Sequence, residues 1–277
     1  IPAHRIALRA DIDALPVGEQ TGVDFASQNP GVMHACGHDC HIAMALTAAR
    51  ILFELRKRLR GEVRLLFQPA EEISLGARDL IAAGALEDVD AIFGMHIWSE
   101  VPAGTVSAQP GTRMASTDWF RVDIEGLSAH GSMPHKGIDA VVVACEIVTA
   151  LQVLVSRDTS PFEPVVVTVG EIHGGTARNI MAGSAWFAGT VRTWDRKTRE
   201  NVSNRLERIV NKMATGFGAQ MKFSYEAGNP GLVNDRACAL VAADAAEKVL
   251  GANAPYQYQG TLAGEDFSEY LQHVPGV

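Results

Sequence analysis

The chain has 277 residues, of which 47% are hydrophobic and 20% charged, with a formal charge of −8 at pH 7. That length suits one large domain or two smaller ones, and the acidic balance argues against nucleic acid and anionic membranes as partners. No apolar run reaches a membrane span, no secretory signal pattern is visible, and the four Cys show no disulfide-scaffold spacing, so a reducing compartment, the cytoplasm, is expected.

The spacing predicts a short strand over Arg5–Ala10, with Asp11 and Asp13 just beyond it. The C-terminal end of a strand is where open α/β sheets carry their sites, although an aspartate near a proline is also ordinary turn chemistry. The stretch Met33-His34-Ala35-Cys36-Gly37-His38-Asp39-Cys40-His41 then packs three His, two Cys and one Asp into nine residues. Nitrogen, sulfur and oxygen donors at that density read as part of a metal site. With a glycine between them, Cys36 and His38 can turn both donors toward one ion. A zinc finger is excluded because no second ligand arm follows.

A helix is expected from His41 to Leu59, on an apolar stripe of Ile42, Leu46, Ala49, Leu52 or Phe53, and Leu59. Arg56-Lys57-Arg58 suits its negative pole, and Gly61 stops it. The nearly unbroken apolar run in Glu62–Phe67 predicts a strand buried on both faces. It leads into Gln68-Pro69-Ala70-Glu71-Glu72. Adjacent carboxylates after a core strand are costly unless a cation offsets them. One of the pair can ligate while the other takes a proton from water. A helix over Leu75–Ala83 and a strand over Asp90–Trp98, with His96 at its end, continue the alternation. That alternation predicts a parallel βαβ sheet.

Beyond Gln109 the rhythm changes. Strands over Trp119–Gly126, Val165–Ile172, Trp186–Trp194 and Met221–Tyr225, with helices over Ile138–Ser156 and Lys197–Thr215, follow the β-α-β-β-α-β order of a ferredoxin-like unit. We therefore expect an α/β fold with a mostly parallel sheet, formed by residues 1–113 and 228–277 and interrupted by an inserted α+β domain over 114–227. The inserted part carries His130 in a glycine-bearing loop, Ser128–His135, and a second such loop, Gly174–Asn179. A helix over Arg236–Leu250 and the stretch Gly264-Glu265-Asp266-Phe267 complete the pattern.

Taken in order over nearly the whole chain, these stretches resemble the M20 metallopeptidase family. More narrowly, they resemble its amidohydrolase branch of hippurate, N-acyl-amino-acid and indole-acetyl-amino-acid hydrolases. The resemblance implies metal-dependent hydrolysis of the amide bond of an N-acyl amino acid, giving a carboxylic acid and a free amino acid. It implies two divalent ions, Mn or Zn with Co or Ni compatible, held by Cys36, His38, Glu72 and His96, the thiolate bridging. Glu71 matches the general base. Asp13 matches the aspartate behind the metals, with Asp11 as the other alignment. His130 matches a histidine that reaches the partner subunit's site to stabilise the oxyanion, and Asn179 a contact for the substrate carboxylate. The inserted domain matches the family's lid or dimerisation domain, so a homodimer is expected.

Departures from the family pattern also carry expectations. The family's fifth ligand, a His beyond Gly264–Phe267, has no match before Val277, and His273 sits where the pattern puts no ligand. The family's N-terminal helical segment is not matched ahead of Ile1-Pro2. The sequence therefore reads as shortened at both ends. Asn179-Ile180-Met181-Ala182 also lacks the proline usual in that loop. Two other readings stay open. One is a dipeptidase or carboxypeptidase of the same superfamily, against which Cys36 counts. The other is an inactive fragment serving only dimerisation or small-molecule binding.

Overall fold

A computed structural model describes residues 4–277, so the opening Ile1-Pro2 lies outside the described residues. The chain divides into two compact units. One comprises residues up to Arg113 with Leu232–Thr261 and Glu265–Val277; the other comprises Met114–Gly231 with Leu262–Gly264. Among the described residues no helix is long and apolar enough to cross a membrane.

The first unit begins β1 (His4–Asp11), α1 (His38–Leu55), β2 (Gly61–Gln68), α2 (Gly76–Ala82) and β3 (Ala91–Gly94). Its sheet has the order β2-β1-β3, and both pairings are parallel. Burial deepens along β1, from exposed His4 to Arg9, Ala10 and Asp11, which are all buried. The strand thus carries charge into the interior at its C-terminal end. The segment at the end of the chain runs beside β3, where the Ile92 and Gly94 amides donate to Pro275 O and Val277 O at 3.0 and 2.9 Å.

Three expectations change here. Helix α1 starts at His38 rather than His41 and ends at Leu55, followed by a short 3-10 turn over Arg56–Arg58. Its fully buried residues are His38 and His41, while Leu46 and Phe53 of the expected stripe are 55% and 65% exposed. Ile42, Ala49 and Leu52 of that stripe are half-buried on the same side, so the two rings and part of the apolar stripe together turn inward. Strand β2 is only half-buried over most of its length. It pairs with β1 alone among the described residues, and Arg64 uses its side chain to reach the carbonyls of Gly84 and Ala85. Strand β3 stops at Gly94, because its pairing with β1 ends at Arg9↔Gly94. His96 consequently sits on the loop beyond the strand rather than within it.

The second unit follows β4 (Gly111–Met114), which pairs with β11 (Leu232–Asn234) after the chain returns. It contains β5 (Asp118–Glu125), β6 (Ala129–His130), α3 (Ala140–Ser156), β7 (Val165–Gly174), β8 (Ile180–Met181), β9 (Ser184–Thr193), α4 (Arg196–Gly216) and β10 (Gln220–Ala227). The main sheet has the order β10-β5-β9-β7 and is antiparallel throughout. Phe120, Val122 and Ile124 alternate inward along β5, and Val202, Leu206 and Val210 recur at helical spacing on α4. They pack with Ile147, Leu151 and Leu154 of α3 in one core. Asp139 and Asp195 cap α3 and α4 by accepting backbone amides. The fully buried Asp118 accepts from Arg199, the Tyr225 hydroxyl (2.9 Å) and the Gly228 amide (3.0 Å). Burial and the Asp118 charge push the Tyr225 phenol upward. The chain then enters α5 (Arg236–Leu250), capped by Asp235, and the short α6 (Phe267–Tyr270).

Candidate metal centre

The donors gather at the C-terminal ends of the three parallel strands of the first unit, the position where an open α/β sheet presents free chain ends. Beyond β1 lies Asp13, beyond β2 lie Glu71 and Glu72, and beyond β3 lies His96. Helix α1 opens beside them at His38. Its N-cap, Gly37, has φ 79° and ψ 17°, a left-handed conformation that costs other residues energy. That turn lets Cys36 and His38 present their donors together. The turn after β2 is also tight: Ala70 and Ser74 have φ of 61° and 59°. A Cβ at Gly76 would lie 1.7 Å from the Pro69 carbonyl oxygen, so only glycine lets the chain pass back under the two glutamates.

Donor atoms of Cys36, His38 and His96 all lie within 4.8 Å of one another, and so do those of His38, Glu71 and Glu72. Cys36 Sγ is 3.5 Å from His96 Nε2. His38 Nδ1 is 3.0 Å from the Asp13 carbonyl oxygen and 3.2 Å from its carboxylate. With Nδ1 donating there, Nε2 keeps a free lone pair. His96 Nδ1 lies 2.5 Å from Ile97 O, which likewise leaves its Nε2 toward Cys36. Asp13 also accepts the Glu72 amide at 3.0 Å. It therefore orients a histidine and a glutamate from behind, as carboxylates and carbonyls do around metal ligands.

The donor set fits a bound cation. His38 Nε2 and Glu72 Oε1 are buried without a hydrogen-bond partner and stand 3.9 Å apart. Buried polar atoms are rarely left unpartnered, and two such atoms facing each other have the chemistry of a metal site. Without an ion, burial and then the charges of Glu72 and Glu71 push the Cys36 thiol up to about 12. Burial, then Glu265 and Asp266, push Glu71 well above the usual carboxylate range. Burial lowers His96. A divalent ion reverses such local logic and deprotonates a coordinating thiol.

Two further groups have ligand-like spacing: Asp11 with His38 and His41, and Glu71 with Glu265 and Asp266. The second belongs to a buried network around Arg9. Its guanidinium donates to Asp11 Oδ2 (2.6 Å), Gln68 Oε1 (2.9 Å), Glu265 Oε1 (2.9 Å) and Asp266 Oδ1 (2.9 Å). Gln68 Nε2 and the Ala77 amide donate to the Asp266 carboxylate, and the Tyr270 hydroxyl donates to Gln68. Burial opposes the charge on Arg9, but the carboxylates outweigh it and raise its proton affinity. Burial likewise opposes the charge on Asp11, yet the hydrogen bond from His41 and the charge of Arg9 hold it at about 2. Arg9 thus offsets the charges of Asp11, Glu265 and Asp266, which form a buried charged floor beside the donors.

His130 and Asn179 belong to the second unit, and both are exposed. The short ladder of β6 with β8 joins their loops, pairing His130 with Ile180, and the Gly131 amide donates to Asn179 O at 2.9 Å. His130 Nδ1 accepts the Ser132 amide at 3.2 Å, which puts the ring proton on the outward Nε2. Arg9, His41, Gln68 and Tyr270 take part in the buried network around Arg9 without any sequence motif that assigns them a role. An arginine inside an expected strand, as Arg9 in β1, is the one sequence feature that could reveal them, because a charge buried there needs partners. All four Cys are unpaired with one another.

The model of Peptidase family M20/M25/M40 matches residues 7–277. The chain belongs to this family. Relatives include the N-acetyl-L-cysteine deacetylase of Bacillus subtilis, 43% identical over 272 residues, covering 98% of this chain and 65% of that protein. The N-acyl-L-amino acid amidohydrolase of Geobacillus stearothermophilus is 44% identical over 234 residues, covering 84% of this chain and 63% of that protein. The chain thus spans less than two thirds of either relative's length. Among solved structures, the Bacillus subtilis YXEP protein, described as a dinuclear metal-binding peptidase of the M20 family, superposes with a TM-score of 0.86. It is 37% identical, covering 99% of this chain and 71% of that one.

Proposed function

We propose that the chain carries the catalytic centre of a metal-dependent amidohydrolase that cleaves N-acyl amino acids into a carboxylic acid and a free amino acid. The observation that carries this reading is the pair of buried, unpartnered ligand atoms, His38 Nε2 and Glu72 Oε1, beside the raised carboxyl of Glu71. The kinship with an N-acetyl-L-cysteine deacetylase and an N-acyl-L-amino acid amidohydrolase supports the substrate class.

Cys36, His38, Glu72 and His96 would hold two divalent ions, manganese or zinc in the first instance, with cobalt or nickel compatible with the same donors. When bound, such ions polarise an amide carbonyl and make water a nucleophile near neutral pH. Asp13 holds the His38 ring and the Glu72 backbone in register. Glu71 takes a proton from the attacking water and returns it to the leaving nitrogen, a transfer worth about 10²–10⁴ in rate. His130 offers its Nε2–H to the oxyanion of the partner subunit's substrate, an interaction of the order of 3 kcal/mol, and Asn179 binds the substrate carboxylate. The second unit is an inserted, ferredoxin-like lid through which the protein forms a homodimer.

The test is metal content per chain measured with amino-acid release from hippurate and N-acetyl amino acids, with manganese or zinc added. Near two ions per chain with turnover supports the reading. No bound metal and no release from any acyl amino acid overturns it and leaves a non-catalytic binding or dimerisation role.

A further inference from the structure

His41 closes the cysteine-rich motif, yet the chemistry above gives it no part. Its side chain is 1% exposed and its ring stands beside both histidine ligands, with centroids 5.4 Å from His38 and 4.6 Å from His96. It is not a ligand, because both ring nitrogens are engaged. Nδ1 lies 2.5 Å from Asp11 Oδ1, and Nε2 accepts the Ile97 amide at 2.9 Å. An accepting Nε2 carries no proton, so the proton sits on Nδ1 and points at Asp11.

The Ile97 residue is held on both sides of its peptide chain. Its N–H goes to His41, and its carbonyl receives His96 Nδ1 at 2.5 Å. Asp11 is itself fixed by Arg9 at 2.6 Å. A continuous path therefore runs from Arg9 through Asp11, His41 and Ile97 to the ring of His96. Strand β3 has already left the sheet at Gly94, so sheet pairing does not fix the loop that carries His96. Side-chain hydrogen bonds must do so instead.

We propose that His41 is a positioning residue: anchored by Asp11, its neutral imidazole holds the Ile97 backbone and thereby aims His96 Nε2 at the ion it shares with Cys36. The inference rests on the reading of His96 as a ligand and adds a residue that acts through it. Partners of this kind around metal ligands are worth about 10–100-fold in metal affinity.

Two substitutions separate the contacts of His41. In His41→Gln the amide oxygen overlies Nε2 and can still accept from Ile97. In His41→Asn the shorter amide reaches Asp11 but not Ile97. The probe is cobalt(II), with affinity read by chelator competition and geometry by the visible absorption of the bound ion. The glutamine variant is expected to bind within about threefold of wild type. The asparagine variant is expected to bind about 10–100-fold more weakly, with an altered cobalt spectrum. Wild-type affinity in His41→Asn, or equal losses in both variants, overturns the proposal. A wild-type protein that takes up no cobalt instead overturns the amidohydrolase reading, and this inference with it. Should His41→Asn fail to fold, ¹⁵N NMR of the wild-type histidines decides. Coupling between His41 Nε2 and the Ile97 amide, unchanged on adding zinc, supports the positioning role. Movement of His41 Nε2 to a metal-bound shift overturns it.

Discussion

Replacing Gly37 by alanine tests the geometry of the centre most directly. Gly37 separates Cys36 from His38 and has φ 79°, where an L-residue other than glycine loses roughly 1–2 kcal/mol. Its Cβ would lie 2.4 Å from Ile97 Cδ1 and 2.7 Å from Cγ1. Ile97 is 43% exposed, so its side chain can rotate away, at about 0.5–1.5 kcal/mol for an unfavourable rotamer. Reduced freedom of the unfolded chain returns about 0.4–1 kcal/mol. The net loss of stability is therefore about 1–2 kcal/mol, read as a lower urea midpoint for the metal-free protein. Metal binding should suffer too, since Ile97 receives His96 Nδ1. A drop of about tenfold in zinc or cobalt affinity follows, in the range for groups that orient ligands. Gly18→Ala serves as the control, because nothing lies within 4 Å of the added carbon there. An unchanged urea midpoint together with unchanged metal affinity in Gly37→Ala would refute the reasoning.

Glu71→Gln should lower amino-acid release by about 10²–10⁴ while metal content stays at the wild-type level; full turnover in this variant removes Glu71 from its role. Because the Cys36 thiol is pushed up to about 12 in the metal-free protein, it holds its proton at neutral pH and the metal must displace it. Zinc uptake should therefore release at least one proton, and apparent affinity should rise about tenfold per pH unit for each proton displaced. Calorimetry in buffers of different ionisation enthalpy reads this, and an affinity flat across neutral pH contradicts it. In the second unit, Asp118→Ala leaves Arg199 and the Tyr225 hydroxyl without their buried acceptor. The expected loss is about 3–5 kcal/mol in denaturant unfolding, and a loss below about 1 kcal/mol would mean the Arg199 pair contributes no more than an exposed one.

Much of the candidate site is local, and local features are legible in one dimension. The Cys36-Gly37-His38 spacing, the double glutamate after β2 and the histidine after β3 each sit in a short segment. Their order along the chain also marks the family to which the protein belongs. Strand alternation in β5 and the helical repeats of α3 and α4 likewise announce themselves, because packing against one core imposes a period on each element. Contacts between distant segments carry no such signal. Arg9 meets Glu265 and Asp266 across 256 and 257 positions, and no pattern within either segment shows it. The ladder of β6 with β8, which brings the His130 and Asn179 loops together, is only two residues long on each side.

Sequence by itself determined which donors are available and how they are spaced. Those properties follow from residue chemistry and from the periods of helix and strand. Only the tertiary structure decided that α1 turns His38 and His41 fully inward, that β3 releases the chain before His96, and that His38 Nε2 and Glu72 Oε1 face each other without partners. Each of these depends on which polar groups find one another once the chain is compact. Hydrogen bonding depends on direction and distance in space, and the sequence records neither.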